Sequence, residues 1–142
     1  MKETLRAGLT GTFRYKVPPS KTVPRICEEA PDFQMMPHVL ATGYLVALCE
    51  WAAIELMKPH LDWPREQSLG THVNLSHTAA TPPGLTVEIS VTVMEVQGRM
   101  VSFSVRASDG VDPITEGTHQ RVVIDAERFN AKVAEKAAGV AP

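Results

Sequence analysis

The sequence has little of what marks disulfide-rich or membrane-spanning proteins. Only two of its 142 residues are cysteines, Cys27 and Cys49, and since Cys49 falls within a predicted helix we expect both to be reduced thiols. The longest apolar run, Tyr44–Cys49, is far too short to cross a bilayer, and the N-terminus lacks the apolar segment of a signal peptide. We therefore expect a cytoplasmic protein that does not insert into a membrane.

Strong positive charge and clustered metal ligands are also missing. The formal net charge is −2, and no run of lysine and arginine with interleaved aromatic residues occurs, which argues against nucleic acid as a partner. His72 and His77, five apart on a predicted strand, should face opposite sides, and the other histidines show no ligand spacing. We expect no metal and, since no cofactor-binding pattern occurs, no cofactor.

What is present fits one globular domain over residues 1–142. The chain is 44% hydrophobic and 21% charged, and it is long enough to bury a core. Its most apolar stretch, Val39–Met57, stops before Pro59, which predicts a central helix from about Thr42 to Lys58.

Glu50 is the most informative residue of this helix. The stretch carries only one other charge, Glu55, which lies near the end and can reach solvent. A lone carboxylate buried in the helix would cost several kcal/mol unless something pairs with it. We therefore expect Glu50 to be buried and either functional or satisfied by a tyrosine or a backbone group.

Alternation of apolar and polar residues predicts an antiparallel meander after the helix. Asp125 is a suitable N-cap for a terminal helix over residues 125–137, with Phe129 and Val133 on its inner face. Residues 18–38 are rich in proline and read as an irregular covering segment, or lid. The predicted strands are Phe13–Val17, residues 69–78 with Leu69, Thr71, Val73, Leu75 and His77 on one face, Leu85–Val93, Val101–Ala107 and residues 114–124.

One long helix and sequential hairpins indicate an α+β domain in which a curled antiparallel sheet wraps around the helix. Such a sheet leaves its edges open and covers the helix incompletely. Pairing with a second copy would bury the remainder, so we expect a homodimer, and dimers could pair further.

Several strings of the sequence resemble the fluoroacetyl-CoA thioesterase family, and the likeness runs from about Val17 to Lys136. The string that begins at His77 is fairly specific to that family. The resemblance implies the hot-dog fold. The strings are Ala41-Thr42-Gly43, Glu50-Trp51-Ala52, Ser68-Leu69-Gly70-Thr71, His77-Thr78-Ala79-Ala80-Thr81-Pro82-Pro83-Gly84-Leu85-Thr86-Val87, Asp109-Gly110-Val111-Asp112 and Phe129-Asn130-Ala131-Lys132-Val133.

By the resemblance, the catalytic threonine, glutamate and histidine of the family fall on Thr42, Glu50 and His77. The glycine and arginine beside the acyl group fall on Gly70 and Arg121. Of the two lid phenylalanines, the first matches Phe33, whereas the second position holds Met36. A thioether is more flexible than a ring and shapes a small pocket less strictly.

Each of these residues also has an ordinary structural interpretation. Thr42 could cap the helix, His77 could be a core histidine bonded to backbone, and Arg121 could lie on a solvated strand face. The amide of Gly43 could donate to a thioester oxygen at the helix N-terminus, or the glycine could simply allow close packing. Glu50 could serve as a base or orient the imidazole of His77.

Geometry constrains the catalytic hypothesis. In an unbroken helix Thr42 and Glu50 are about 12 Å apart along the axis, which is too far for a hydrogen bond. Either the helix breaks at Gly43 or a second subunit contributes its own residue, and we hypothesise a site composed of both chains.

The predicted function is a thioester hydrolase acting on a short acyl-CoA, with fluoroacetyl-CoA implied only by the resemblance. A hydratase or dehydratase acting on enoyl-CoA and a non-catalytic acyl-CoA-binding protein remain alternatives, because a fold does not fix a reaction.

Overall fold

The computed structural model describes residues 1–140, in which one five-stranded antiparallel sheet curls around one long helix. The strand order is β1-β3-β4-β5-β2, so β1 and β2 form the two edges. The strands are β1 Thr10–Lys16, β2 Glu66–Leu75, β3 Thr86–Gln97, β4 Met100–Ser108 and β5 Pro113–Asp125, and the α-helices are α1 Pro31–Gln34, α2 Thr42–Met57 and α3 Ala126–Ala138.

The predicted α+β architecture is confirmed, and the bounds of its elements differ by a few residues. β1 begins three residues before the prediction and β2 begins at Glu66 rather than Leu69. The proline-rich lid is not wholly irregular, because it contains α1 and two short 3₁₀ turns, Pro19–Lys21 and Val23–Arg25. Within residues 1–140, no helix is long and apolar enough to span a membrane.

The core lies between α2 and the concave face of the sheet. Alternate residues of β3 and β4 are buried, as their period of two predicts. The helix contributes a buried side that includes Leu45, Cys49, Ala53 and Met57. Burial, followed by the negative charge of Glu50, raises the pKa of the Cys49 thiol to about 12, so this cysteine is a packing residue and not a nucleophile.

The terminal helix α3 departs from the prediction. Asp125 does cap it, since its side chain accepts a hydrogen bond from the Arg128 amide at 3.1 Å. However, Phe129 is 37% exposed and Val133 is 48% exposed, and α3 contains no buried residue. The expected inner face is therefore wrong for this chain by itself, because α3 follows the end of β5 and lies at the margin of the core.

Candidate active site

The first polar pair of the candidate site joins Thr42 to His77. Thr42 is the first residue of α2, and its Oγ1 lies 2.8 Å from Nδ1 of His77. Ala41 occupies the N-cap position and no side chain caps the helix, so the interpretation of Thr42 as an N-cap is wrong. The Thr42 hydroxyl does not cap the helix, and its hydrogen bond is with the imidazole of His77.

Hydrogen bonds of neighbouring residues hold together the two segments that carry Thr42 and His77. The amide of Leu40, just before α2, donates to the carbonyl of Thr81 at 2.8 Å. The Thr81 hydroxyl in turn donates to Asp109 Oδ2 at 2.8 Å, in the turn between β4 and β5. Because Thr78 also pairs with Ile114 of β5, the segment that carries His77 is fixed against both the helix start and the sheet.

His77 is suited to accept a proton from Thr42. Burial lowers the pKa of His77 below its ordinary value of 6.5, against a smaller opposing effect of the Ala79 backbone. Nε2 is buried and has no hydrogen-bond partner among the described residues, so it points inward while Nδ1 faces Thr42. A neutral ring protonated on Nε2 leaves Nδ1 as the acceptor for the Thr42 proton.

A cavity of about 270 Å³ adjoins this pair, and Thr42, His77, Val23 and Ala79 are among the residues that line it. Free amide groups at the first turn of α2 carry the positive end of the helix dipole. A Cβ on Gly43 would come within 2.5 Å of Ile26 Cδ1, so close packing does explain this glycine. The same position leaves its amide at the helix start, and the two interpretations are compatible.

The second polar pair joins Glu50 to Arg121, and Arg121 is only 2% exposed. The alternative interpretation of Arg121, as a residue on a solvated strand face, is therefore wrong. The Arg121 guanidinium makes four hydrogen bonds. Nη1 donates to Glu50 Oε2 at 2.8 Å and to His119 Nε2 at 3.1 Å. The other two bonds go to Ser68, because Nε donates to its Oγ at 2.8 Å and Nη2 donates to its carbonyl at 2.8 Å.

Glu50 is not buried in the single chain, contrary to expectation. Its side chain is 36% exposed, on the margin of α2 that faces the edge strand β2. Its partner is the Arg121 guanidinium and not the imidazole of His77. The helix is continuous from Thr42 to Met57, which removes the possibility of a break at Gly43 and leaves the two polar pairs apart within one chain.

Sequence reasoning missed His119, which is 1% exposed and sits behind Arg121. Its Nδ1 bonds to the carbonyl of His72 at 2.8 Å, so Nδ1 carries the proton and Nε2 accepts from Arg121. Burial, followed by the charge of Arg121, lowers the pKa of His119 against opposing contributions from the His72 backbone and Glu50. His119 lies two residues before Arg121 on β5, so both side chains face the same side of the strand. This spacing was the sequence signal that could have identified His119.

His119, which is buried, and His77, which is half-buried, predict a loss of stability on mild acidification. Their folded pKa values lie below 6.5, so the unfolded chain binds more protons and the free energy of unfolding falls as the pH drops through 6.5. Urea unfolding at about pH 7.5 and about pH 5.5 stays above the range in which carboxylates titrate. We expect His119→Gln to reduce the difference between the two pH values, and an unchanged difference would contradict this assignment.

A bulge between Gly70 and His72 decides which side chains of β2 face the helix. Before the bulge Gly70 pairs with Arg121, and after it Val73 pairs with His119. Gly70 therefore shares the inner face with Val73, whereas Leu69 does not, and the single face predicted from Leu69 to His77 is wrong. One extra residue reverses the parity of the strand.

Gly70 provides space for the Glu50 carboxylate, and filling that space is a specific test. A Cβ at Gly70 would lie 2.7 Å from Glu50 Oε2 and 3.3 Å from His119 Cε1. We expect Gly70→Ala to displace Glu50 and lower kcat by about tenfold to a hundredfold, with little change in thermal stability. Gly11→Ala, whose Cβ would lie 3.3 Å from Leu56 Cδ1, is the matched control. Full activity of Gly70→Ala would show that the position of Glu50 is unimportant.

The two residues that were predicted to belong to a lid lie outside both polar pairs. Phe33, in α1, is half-buried, whereas Met36 is 42% exposed. The Tyr44 hydroxyl donates to the carbonyl of Arg25 at 3.3 Å, which connects the proline-rich segment to the start of α2.

Comparisons with known proteins identify the class. The model of the fluoroacetyl-CoA-specific thioesterase family matches residues 22–127. A fluoroacetyl-CoA thioesterase from Streptantibioticus cattleyicolor is 50% identical over 136 residues, which cover 96% of this chain and 97% of that protein. A phenylalanine-to-alanine variant of the fluoroacetyl-CoA-specific thioesterase FlK, in complex with fluoroacetate and CoA, is 49% identical with a TM-score of 0.85, over 88% of this chain and 99% of that one.

A more distant structure supports the fold alone. A hot-dog-like protein from Thermanaerovibrio acidaminovorans is 24% identical, with a TM-score of 0.76 over 92% of this chain and 91% of that one. The predicted hot-dog fold is thereby confirmed, and the family match together with the 50% identical relative places the chain among the hot-dog thioesterases. Within that class, the chain belongs to the fluoroacetyl-CoA-specific thioesterase family.

Proposed function

We propose that this thioester hydrolase cleaves a short acyl-CoA to the free acid and CoA at a site shared by two copies of the chain, and that fluoroacetyl-CoA is one of its substrates. The observation that carries the proposal is the bond of 2.8 Å between the Thr42 hydroxyl and Nδ1 of His77. The relatives named above supply the thioester class and the fluoroacetyl group.

The chemistry requires an attacking oxygen, a donor for the oxyanion and a proton for the departing thiolate. Neutral His77 takes the Thr42 proton as Oγ1 approaches the thioester carbonyl, and the amide of Gly43 donates to the developing oxyanion. The C–S bond then breaks, the acyl group remains on Thr42 Oγ1 as an ester, and the imidazolium returns its proton to the departing thiolate. A water molecule, deprotonated by His77, then attacks this ester; the bond between the acyl carbon and Oγ1 breaks, the free acid leaves, and the proton returns to Oγ1. Alternatively, Glu50 activates a water molecule as the attacker, with Thr42 and His77 orienting the thioester.

A second copy would bring the two polar pairs together. Within residues 1–140, β2 is an edge strand with β5 as its only neighbour, and Leu69 and Val73 on it are 38% and 41% exposed. A twofold axis through this edge would pair β2 with its copy in antiparallel fashion. The Gly70 end of one strand, with its Glu50, would then lie beside the His77 end of the other.

Phe33 and Met36 would cover the acyl group from the lid. The exposed thioether of Met36 can adjust to different acyl chains, so we expect a broader acyl range than a rigid aromatic lid would permit. The free thiols Cys27 and Cys49 support a reducing, cytoplasmic location.

A panel of short acyl-CoA thioesters, with detection of the released thiol, tests this function. We expect turnover of acetyl-CoA and fluoroacetyl-CoA, and the absence of thiol release from every member would overturn the proposal. Loss of the absorbance of an enoyl-CoA without thiol release would indicate a hydratase. Tight binding by calorimetry with no hydrolysis would indicate an acyl-CoA-binding protein.

A further inference from the structure

A pocket of about 200 Å³ lies where α3 meets the end of β5 and the turn between β3 and β4. It lies apart from the two polar pairs of the candidate active site. Three cationic side chains and one aromatic ring are among its lining residues, which are Arg99, Val123, Ile124, Asp125, Arg128, Phe129 and Lys132.

We propose that this pocket binds the phosphorylated nucleotide end of the acyl-CoA, which rests on the proposed thioesterase function. Arginine and lysine side chains recognise phosphate groups through charge-assisted hydrogen bonds. The ring of Phe129, 37% exposed, offers a face on which a purine base can stack. One pocket thus supplies both recognition elements of an adenosine phosphate.

The charges of the pocket are available for an anion. Asp125 is the only acidic lining residue, and it is occupied by the Arg128 amide at 3.1 Å and by Arg65 Nε at 3.4 Å. Arg99 lies 3.8 Å from Glu66, a long ion pair. Within residues 1–140 the side chains of Arg128 and Lys132 form no ion pair. A local positive patch therefore stands out on a chain whose net charge is −2.

A cavity on the outer face of the sheet is a competing location, and the charge of its lining residues disfavours it. That cavity, of about 310 Å³, lies at the outer face of the sheet. Its lining contains one cation, Arg106, against two carboxylates, Glu88 and Glu116. A net negative lining repels phosphate, whereas the pocket at α3 attracts it.

The position of the pocket also suits a substrate whose reacting end lies near Arg121. β5 carries Arg121 and continues to Asp125, about 13 Å further along the strand, where α3 begins. The phosphates would lie on α3 and the extended pantetheine arm would run back along the edge of β5 toward the reacting carbon. Residues of α3 would then set the affinity for CoA and leave the acyl chemistry to the other site.

Two substrates with the same acyl group separate nucleotide recognition from the chemistry. One is the acyl-CoA and the other is the N-acetylcysteamine thioester, which lacks the nucleotide. We expect Arg128→Ala and Lys132→Ala each to raise the KM for the CoA ester about tenfold. The ratio of kcat/KM between the CoA ester and the truncated ester should fall about a hundredfold in the double variant. Lys136→Ala, the same charge change one turn further along α3, is the matched control.

Calorimetry with adenosine 3′,5′-bisphosphate tests the pocket independently of turnover. We expect the wild-type protein to bind this nucleotide and the double variant to bind it at least tenfold more weakly. Equal losses on both thioesters, an unchanged ratio, or nucleotide binding unaffected by the double substitution would overturn the proposal. Nucleotide binding without hydrolysis of either thioester would retain the pocket and count against the proposed function instead.

Discussion

Glu50→Gln is expected to lower kcat/KM by about a thousandfold, because in the proposed mechanism the substitution removes the carboxylate that activates water or orients the imidazole of His77. Glutamine keeps the shape of the side chain and an oxygen that can accept the hydrogen bond from Arg121, which spans 2.8 Å in the wild type. The side chain is 36% exposed, so we expect the free energy of unfolding to change by only about 1 kcal/mol. Activity would therefore fall far more than stability.

Glu55→Gln is the matched control for this prediction. It removes the same charge from the same helix, one turn beyond Glu50, where the side chain is exposed and accepts only a long bond of 3.4 Å from Trp51. We expect near wild-type kinetics from it. Undiminished thioester cleavage by Glu50→Gln, measured by thiol release, would remove Glu50 from the mechanism.

Mixing two inactive variants is expected to restore activity. In a shared site, Thr42 and His77 come from one copy and Glu50 from the other. A dimer of one Thr42→Ala chain and one Glu50→Gln chain then has one fully wild-type site. Random re-pairing of equal amounts should restore about a quarter of wild-type activity, because half of the dimers are mixed and each has one intact site.

The control pair is Thr42→Ala with His77→Ala. These residues are bonded at 2.8 Å within one chain, so every mixed dimer retains a defect in both sites and no recovery is expected. Refolding the variants together and measuring thiol release distinguishes the outcomes. If Thr42→Ala and Glu50→Gln show no recovery, or if the control pair recovers equally, the site lies within one chain.

The sequence predicted the elements of the fold well because their signals are local. Val39–Met57 is apolar and ends before a proline, and Leu85–Val93 alternates with a period of two; α2 and β3 lie where these patterns place them. The exposed ring of Phe129 could not be foreseen in the same way. A helical period indicates that an apolar face exists, but not whether the chain itself has anything to cover it.

The candidate residues were named from the sequence, but their pairing was not. Glu50 was expected beside His77, and in the chain it binds Arg121 instead. Which strands become neighbours is a property of the whole sheet, and β2 and β5, which are separated in sequence by two other strands, bring Gly70, His119 and Arg121 together. Hydrogen bonds between such distant segments leave no periodic trace in the sequence.

The bulge between Gly70 and His72 affects both the alignment of two copies of the chain and the orientation of residues in the candidate active site. A regular strand could slide by two residues along a neighbour and keep its inward and outward sides matched. β2 cannot do so, since any slide would carry the irregular residue, Thr71, out of its place. A copy that docks on the free edge of β2 would therefore have a single favourable alignment. Thr71, the residue that turns Gly70 toward the Glu50 carboxylate, would also determine that alignment.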